Sequence, residues 1–173
     1  SGPEYLLVDG YNIIFAWDEL KAISQDNLGA ARQRLMDILS NYQGYRRCEI
    51  ILVFDAYKVP RGVGEVSRYH NIYVVYTKEA ETADQYIEKF AHENARRFDV
   101  SVATSDGVEQ VIILGQGCRL ISSRELEQEL ERMNQALREE FLLETEKKGI
   151  RLSDLLTEEE LLRLRQEIEP ETE

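Results

Sequence analysis

Cysteine is scarce in this chain. Cys48 and Cys118 are the only two in 173 residues, too few for a disulfide framework or a four-cysteine metal site, so a reducing cytoplasm is the expected compartment. The two histidines, His70 and His92, lack the spacing of a metal-ligand pair and read as solvated side chains. Long apolar runs are missing as well. The longest, Ile13 to Trp17 and Ile50 to Phe54, stop at about five residues where a membrane span needs about 18 or more, so no membrane partner is expected. No basic segment precedes Tyr5-Leu6-Leu7-Val8, which argues against a secretory signal. Ser1-Gly2-Pro3 reads as a cloning scar, with residues 1–4 outside the folded domain.

What the chain has in excess is negative charge, 33 acidic against 21 basic residues for a formal -12. Taken whole, that balance speaks against a nucleic-acid ligand, because phosphate binding rests on clustered Lys and Arg. Its distribution changes the inference. Residues 1–119 hold 13 basic and 17 acidic residues, whereas 120–173 hold 8 and 16, so two thirds of the excess sits in the last third of the chain. That last third is helical by pattern. Ser122-Ser123-Arg124-Glu125 forms a capping box ahead of Leu126, Leu130, Met133, Leu137 and Phe141, and Thr157 with Glu160 opens a second helix after Gly149. A helical hairpin follows, its apolar stripe either packed on the main domain or open to a partner or a second copy.

The first 119 residues alternate short apolar runs with helical spacing. Tyr5–Val8, Glu49–Phe54, Ile72–Tyr76 and Val100–Ala103 read as strands. Between them Gly29–Tyr42, Thr82 to about Arg97, and Gly107–Leu114 read as helices, the second opened by the capping box Thr82-Ala83-Asp84-Gln85. Strands buried on both faces and alternating with helices predict an α/β fold with a central parallel sheet flanked by helices. The stretch from Ala56 to Asn71 reads as one irregular loop of basic character, carrying Lys58, Arg61, Arg68 and His70. Tyr57, Tyr69 and Tyr73 are interleaved with it, a pattern that suits base stacking as well as ordinary packing.

The strands hand over to acids. Val8 runs into Asp9, Phe54 into Asp55, and Ala103-Thr104-Ser105 into Asp106, while Tyr76 is followed by Glu79, Glu81 and Asp84. In an open parallel sheet all strand C-termini lie on the ligand-binding edge, so these carboxylates converge. Taken singly each has a local explanation: Asp9-Gly10 a tight turn, Asp106 a helix cap with Glu109 at its third position, Asp84 a first-turn acid favoured by the helix dipole. Together they repel, and a hard divalent cation is the natural compensation. Mg²⁺ or Mn²⁺ with one or two carboxylates plus substrate phosphate points to phosphoryl chemistry. Asn12 is placed to hold a water or orient Asp9, or simply begins a helix. Gly115-Gln116-Gly117 offers N–H groups to a phosphate or a plain helix stop.

Other phosphoryl enzymes fit less well. A haloacid-dehalogenase-type phosphatase wants Asp-x-Asp where this chain has Asp9-Gly10-Tyr11, and a response-regulator receiver wants an acceptor Asp where it has Thr77-Lys78-Glu79. The glycine-rich loop ending in Gly-Lys-Ser or Gly-Lys-Thr of a P-loop NTPase is missing.

The segments Val8-Asp9-Gly10-Tyr11-Asn12, Phe54-Asp55-Ala56, Tyr76 to Asp84, and Ala103 to Asp106 with Glu109-Gln110 and Gly115-Gln116-Gly117 together resemble the YacP-like branch of the NYN-domain ribonucleases, part of the wider PIN-like nuclease group. The similarity spans about residues 5–145 with its motifs in order, and Cys118 stands where a small residue such as Ala is expected. The resemblance implies a Rossmann-like PIN/NYN domain over 5–121 and a C-terminal helical extension over 122–173. It implies a metal-dependent endoribonuclease using Mg²⁺ or Mn²⁺, with Asp9, Asp55, Asp84 and Asp106 as catalytic acids, Asp9, Asp84 and Asp106 holding the metal, and Asn12 in support. Lys58, Arg61, Arg68, His70 and Lys78 are the candidate RNA contacts. It further implies mRNA as substrate and the ribosome as partner. A module that keeps the fold and docks on RNA or ribosomes without catalysis is the alternative.

Overall fold

The computed structural model describes residues 3–56, 64–149 and 156–168. The chain divides into two compact units, Ser1–Glu127 and Gln128–Glu173. Strands β1 (Glu4–Asp9), β2 (Glu49–Phe54), β3 (Val66–Tyr69), β4 (Ile72–Tyr76), β5 (Asp99–Ala103) and β6 (Arg119–Ile121) build the first. Helices α1 (Gly10–Ala16), α2 (Asp18–Asp26), α3 (Leu28–Arg46), α4 (Ala83–Asn94) and α5 (Gly107–Gly115) connect them. Helix α6 (Ser123–Lys147) starts in the first unit and runs on in the second, which also holds α7 (Glu158–Ile168).

One six-stranded sheet has the order β3-β4-β2-β1-β5-β6, parallel except for the β3–β4 pair. The α/β expectation holds. From β1 the chain works outward through β2 to β4, then returns past β1 to β5 and β6. The direction of winding therefore reverses at β1, and the crevice above the C-terminal ends of β1 and β5 is the switch point where open α/β sheets bind ligands.

Apolar runs that face helices on both sides explain the core. Leu7, Ile51, Val53, Val75, Val100 and Val102 pack with Ala83, Ile87 and Ala91 of α4 and Ile113 of α5. By strand alternation Leu6, Val8, Ile50, Leu52 and Val74 point to the other face, where all are fully buried and α1 and α3 lie against the sheet. Helix starts follow their capping signals. Thr82 and Gln85 complete the box at α4, Ser122 and Glu125 exchange bonds at α6, and Thr157 accepts from the Glu160 N–H at α7. In the second unit Arg138 Nε meets Glu167 Oε2 at 2.9 Å, joining the helices of the expected hairpin, while Leu137 and Phe141 of the stripe are exposed. Among the described residues no helix is long and apolar enough to cross a membrane.

Two local expectations are corrected, and one pair of helices is new. The stretch 56–71 is not irregular throughout: Val66–Tyr69 pairs antiparallel with β4 through a turn at His70, which takes a left-handed backbone (φ 52°). A four-residue edge strand, paired on one side only, carries too few apolar residues to register as a run. Helices α1 and α2 are separated only by Trp17, whose indole N–H donates to the Ser123 carbonyl at 2.8 Å, so tertiary anchoring rather than periodicity sets them. Strand β1 begins at Glu4, within the residues 1–4 expected to lie outside the folded domain, and the Glu4 carboxylate pairs with Arg46. Lys58, Arg61 and Tyr57 lie outside the described residues.

Candidate active site

Asp9 ends β1 and is the residue before α1. It occupies the N-cap position yet makes no side-chain cap bond to its own helix, so the carboxylate is left for other partners. Gly10 makes that handover possible, since a Cβ there would stand 2.3 Å from Phe54 Cε1 and 2.9 Å from the Val53 carbonyl oxygen. Asp9 is 5% exposed. Burial pushes its carboxyl up to about 7, the nearby Asp84 and Asp55 charges push the same way, and a hydrogen bond with Glu109 opposes them without cancelling.

The acids that meet Asp9 come from the other two sides of the switch point. Asp84 lies in the first turn of α4, and Glu109 in the first turn of α5. Ligand oxygens of Asp9, Asp84 and Glu109 all lie within 4.8 Å of one another. Glu109 is 4% exposed. Its Oε2 accepts from the Thr104 hydroxyl at 3.0 Å, whereas Oε1 is buried with no N–H or hydroxyl donor in reach. Burial first, then the charges of Asp9 and Asp84, push the Glu109 carboxyl up to about 10.

Only a shared proton or a cation satisfies such a cluster. An orphaned buried carboxylate oxygen beside two further acids is an all-oxygen donor set, which suits a hard divalent ion such as Mg²⁺ or Mn²⁺ and not a soft metal. The residues present therefore fit the implied ion.

The remaining expected site residues surround this trio. Asp55 accepts from the Ala83 N–H at 2.7 Å, fastening the N-terminus of α4 and with it Asp84. Asp106 is not part of the trio. Its Oδ1 accepts from the N–H groups of Val108 and Glu109 at 3.0 and 3.2 Å, so it caps α5 and sets the start of the helix that carries Glu109. Asn12, in α1, accepts through Oδ1 from both the N–H and the hydroxyl of Ser105 at 2.7 and 2.8 Å, tying the ends of β1 and β5 together. Both N–H groups at Gln116 and Gly117 are spent on the carbonyls of Ile113 and Leu114, which makes Gly115-Gln116-Gly117 a helix stop.

Of the described candidate RNA contacts, Lys78 is exposed just beyond β4 on the acidic edge, whereas His70 turns the hairpin at the start of β4, the opposite edge. Arg68 bonds the Tyr73 hydroxyl at 2.7 Å and lies over its ring. The Tyr69 hydroxyl is held by Asp37 and Gln33 of α3.

Glu109 is the site acid that motif reading set aside as a capping partner. Its signal is helical phase: Glu109 and Ile113 are one turn apart and both face inward, and an acid on the buried face of a helix needs a reason.

Comparisons with known proteins identify relatives of this sequence and fold. Residues 6–169 match the family model described as YacP-like NYN domain. The YacP protein of Bacillus subtilis strain 168 is 43% identical over 129 residues, covering 74% of this chain and 75% of that protein. The crystal structure of Rae1 (YacP) from Bacillus subtilis superposes with a TM-score of 0.72 at 37% identity, covering 94% of this chain and 92% of that one. Its W164L mutant gives 0.68 at 38% identity over 82% and 84%.

Proposed function

This chain belongs to the YacP-like NYN domain family, a nuclease-type family, and from that premise we propose that it is a divalent-cation-dependent endoribonuclease. It hydrolyses phosphodiester bonds in single-stranded mRNA in the cytoplasm, in association with translating ribosomes. The observation that carries the reading is the meeting of Asp9, Asp84 and Glu109, from three separate elements, within 4.8 Å at the switch point of the sheet.

When bound, Mg²⁺ or Mn²⁺ supplies charge neutralisation at the phosphate oxygens and an acidified water for attack. The chain supplies the framework. Asp9, Asp84 and Glu109 would hold the ion, and Thr104 fixes the Glu109 carboxylate in place. Asp55 and Asp106 act as positioning residues through the N-termini of α4 and α5. Asn12 orients the β5 end through Ser105, leaving its amide N–H groups for a phosphate oxygen or a water. Burial keeps bulk water from the Asp9 and Glu109 carboxylates, which strengthens each charge interaction there.

The test is incubation of RNA, free and on translating ribosomes, with wild type and Asp84→Asn in Mn²⁺ and in EDTA. Cleavage by wild type in Mn²⁺ alone, with Asp84→Asn slower by at least about 10²-fold, supports the reading. Wild-type rates in Asp84→Asn or in EDTA would sink it, and cleavage of free RNA equal to that on ribosomes would remove the ribosome from it.

A further inference from the structure

The sheet face that carries Asp9 continues past α4 into an open groove that catalysis leaves unused. Strand register locates it. Asp9, Val53, Val75 and Val66 are successive partners across β1, β2, β4 and β3, and Leu7, Ile51, Tyr73 and Arg68 form the next row. With strands about 4.8 Å apart, Val75 lies about 10 Å from Asp9 along its row. Beyond the part covered by α4 is a cavity of about 290 Å³ lined by Tyr5, Tyr73, Tyr86, Val66, Val75 and Glu49. That volume is just below the range of pockets that enclose drug-sized ligands and suits a planar ring. Val66, on its rim, is 61% exposed.

The neighbours narrow the occupant. Tyr86 follows Asp84 by two residues in α4, and it also walls an adjoining cavity of about 160 Å³ that includes Lys78 and Lys89. The Arg68 guanidinium lies over one face of the Tyr73 ring, 4.5 Å from its centroid, and presents beside the tyrosines a cationic plane of the kind on which bases stack. The Glu49 carboxylate has no partner among the described residues and can only accept hydrogen bonds when ionised.

We propose that this groove is a nucleobase subsite, in which unpaired bases one or two nucleotides from the scissile phosphate stack on Tyr73 and Tyr86 and Glu49, at the far end of the groove about 13 Å along the strands from the Asp9 row, accepts from an exocyclic amine. The subsite rests on the reading of the chain as a nuclease of single-stranded RNA. Stacking is the main source of affinity, because Glu49, Glu81 and Glu93 offset the cations around the two cavities. Adenine, cytosine and guanine, which carry an exocyclic amine, are preferred to uracil.

Binding of labelled dodeca-adenylate and dodeca-uridylate to the full chain, followed by fluorescence anisotropy in EDTA, tests this without interference from cleavage. Wild type should bind the adenylate more tightly. Tyr73→Ala and Tyr86→Ala should each weaken that binding by about 5- to 100-fold, the loss expected for one stacked base, while Tyr86→Phe binds like wild type. Glu49→Gln should abolish the preference for adenylate, and Val66→Glu, at an exposed edge, should weaken binding at unchanged melting temperature. Unchanged affinity in both Tyr86→Ala and Val66→Glu, or failure of wild type to bind either RNA, overturns the subsite. RNA bound in a Tyr86-dependent way but left intact in Mn²⁺ overturns the nuclease reading instead, so the two failures are distinct.

Discussion

Asp9→Asn should slow RNA cleavage by at least about 10²-fold and, in the same protein, raise the melting temperature in the absence of divalent cations. The two effects have one cause. Asp9 is buried among acids, and its carboxyl is pushed up to about 7 by that burial, with Asp84 and Asp55 adding to it, so its ionised form opposes folding at neutral pH and above. An amide of the same shape removes the charge and donates to the carboxylates of Asp84 and Glu109. A gain of roughly 1–3 kcal/mol at pH 8 is expected, less than the roughly 4 kcal/mol that the rise from 3.8 to about 7 represents at ~1.4 kcal/mol per pH unit, because neighbouring acids reshare protons. Cleavage falls because one of the oxygens that hold the cation is gone. If Asp9 were only a turn residue, the same substitution would leave cleavage near wild type, and if it were a stabilising cap, replacement would lower the melting temperature or leave it unchanged. Thermal unfolding in EDTA beside a cleavage assay in Mn²⁺ reads both.

The cation-free protein should lose stability as pH rises from about 4 to 8. Asp9 goes from 3.8 to about 7 on folding, and Glu109 from 4.5 to about 10. Both carboxyls bind their protons more tightly in the folded chain, so over this interval the native state carries more protons than the unfolded one and the unfolding free energy falls with pH. The stabilisation is complete below about pH 4 and declines progressively above it; the Asp9 contribution is gone once pH passes about 7, and Glu109 carries the decline toward 10. Urea midpoints at pH 5, 6, 7 and 8 in EDTA should fall steadily, by a few kcal/mol in total once converted through the m-value. A midpoint that rises over that range contradicts the arrangement of the acids.

Much of this site is visible in the amino-acid order because strand ends in a parallel sheet share an edge. Asp9, Asp55 and Asp84 could be brought to that edge from their places after apolar runs and at a capping box, with no knowledge of strand order. The division of labour among the acids was not legible. Asp106 and Glu109 lie in one helical turn, and sequence alone reads the first as the site acid and the second as its capping companion. The fold makes Asp106 the cap and turns Glu109 inward, because position 109 shares the buried face with Ile113. Strand β3 and the turn at His70 were also out of reach: an edge strand of four residues is held by its pairing with β4, a long-range term with no local periodicity. Helices α1 and α2 depend likewise on a distant anchor, the Trp17 bond to Ser123.

The negative charge that first spoke against an RNA substrate is thus partly the site itself. Asp9, Asp84 and Glu109 accumulate charge that a divalent ion would offset locally, and the larger excess belongs to residues 120–173. With so little net attraction left for phosphate, the proposed stacking in the tyrosine groove would have to supply much of any RNA affinity.

The claim that these three carboxylates form a cation site is tested most directly by the shift in melting temperature on adding Mn²⁺ at pH 8 to wild type and to Glu109→Gln. The account predicts a rise of several degrees in wild type, equivalent to about 2.7 kcal/mol at a hundredfold excess over the dissociation constant, and little or none in the variant, which should start from a higher melting temperature in EDTA. An equal Mn²⁺ shift in the two proteins would contradict it.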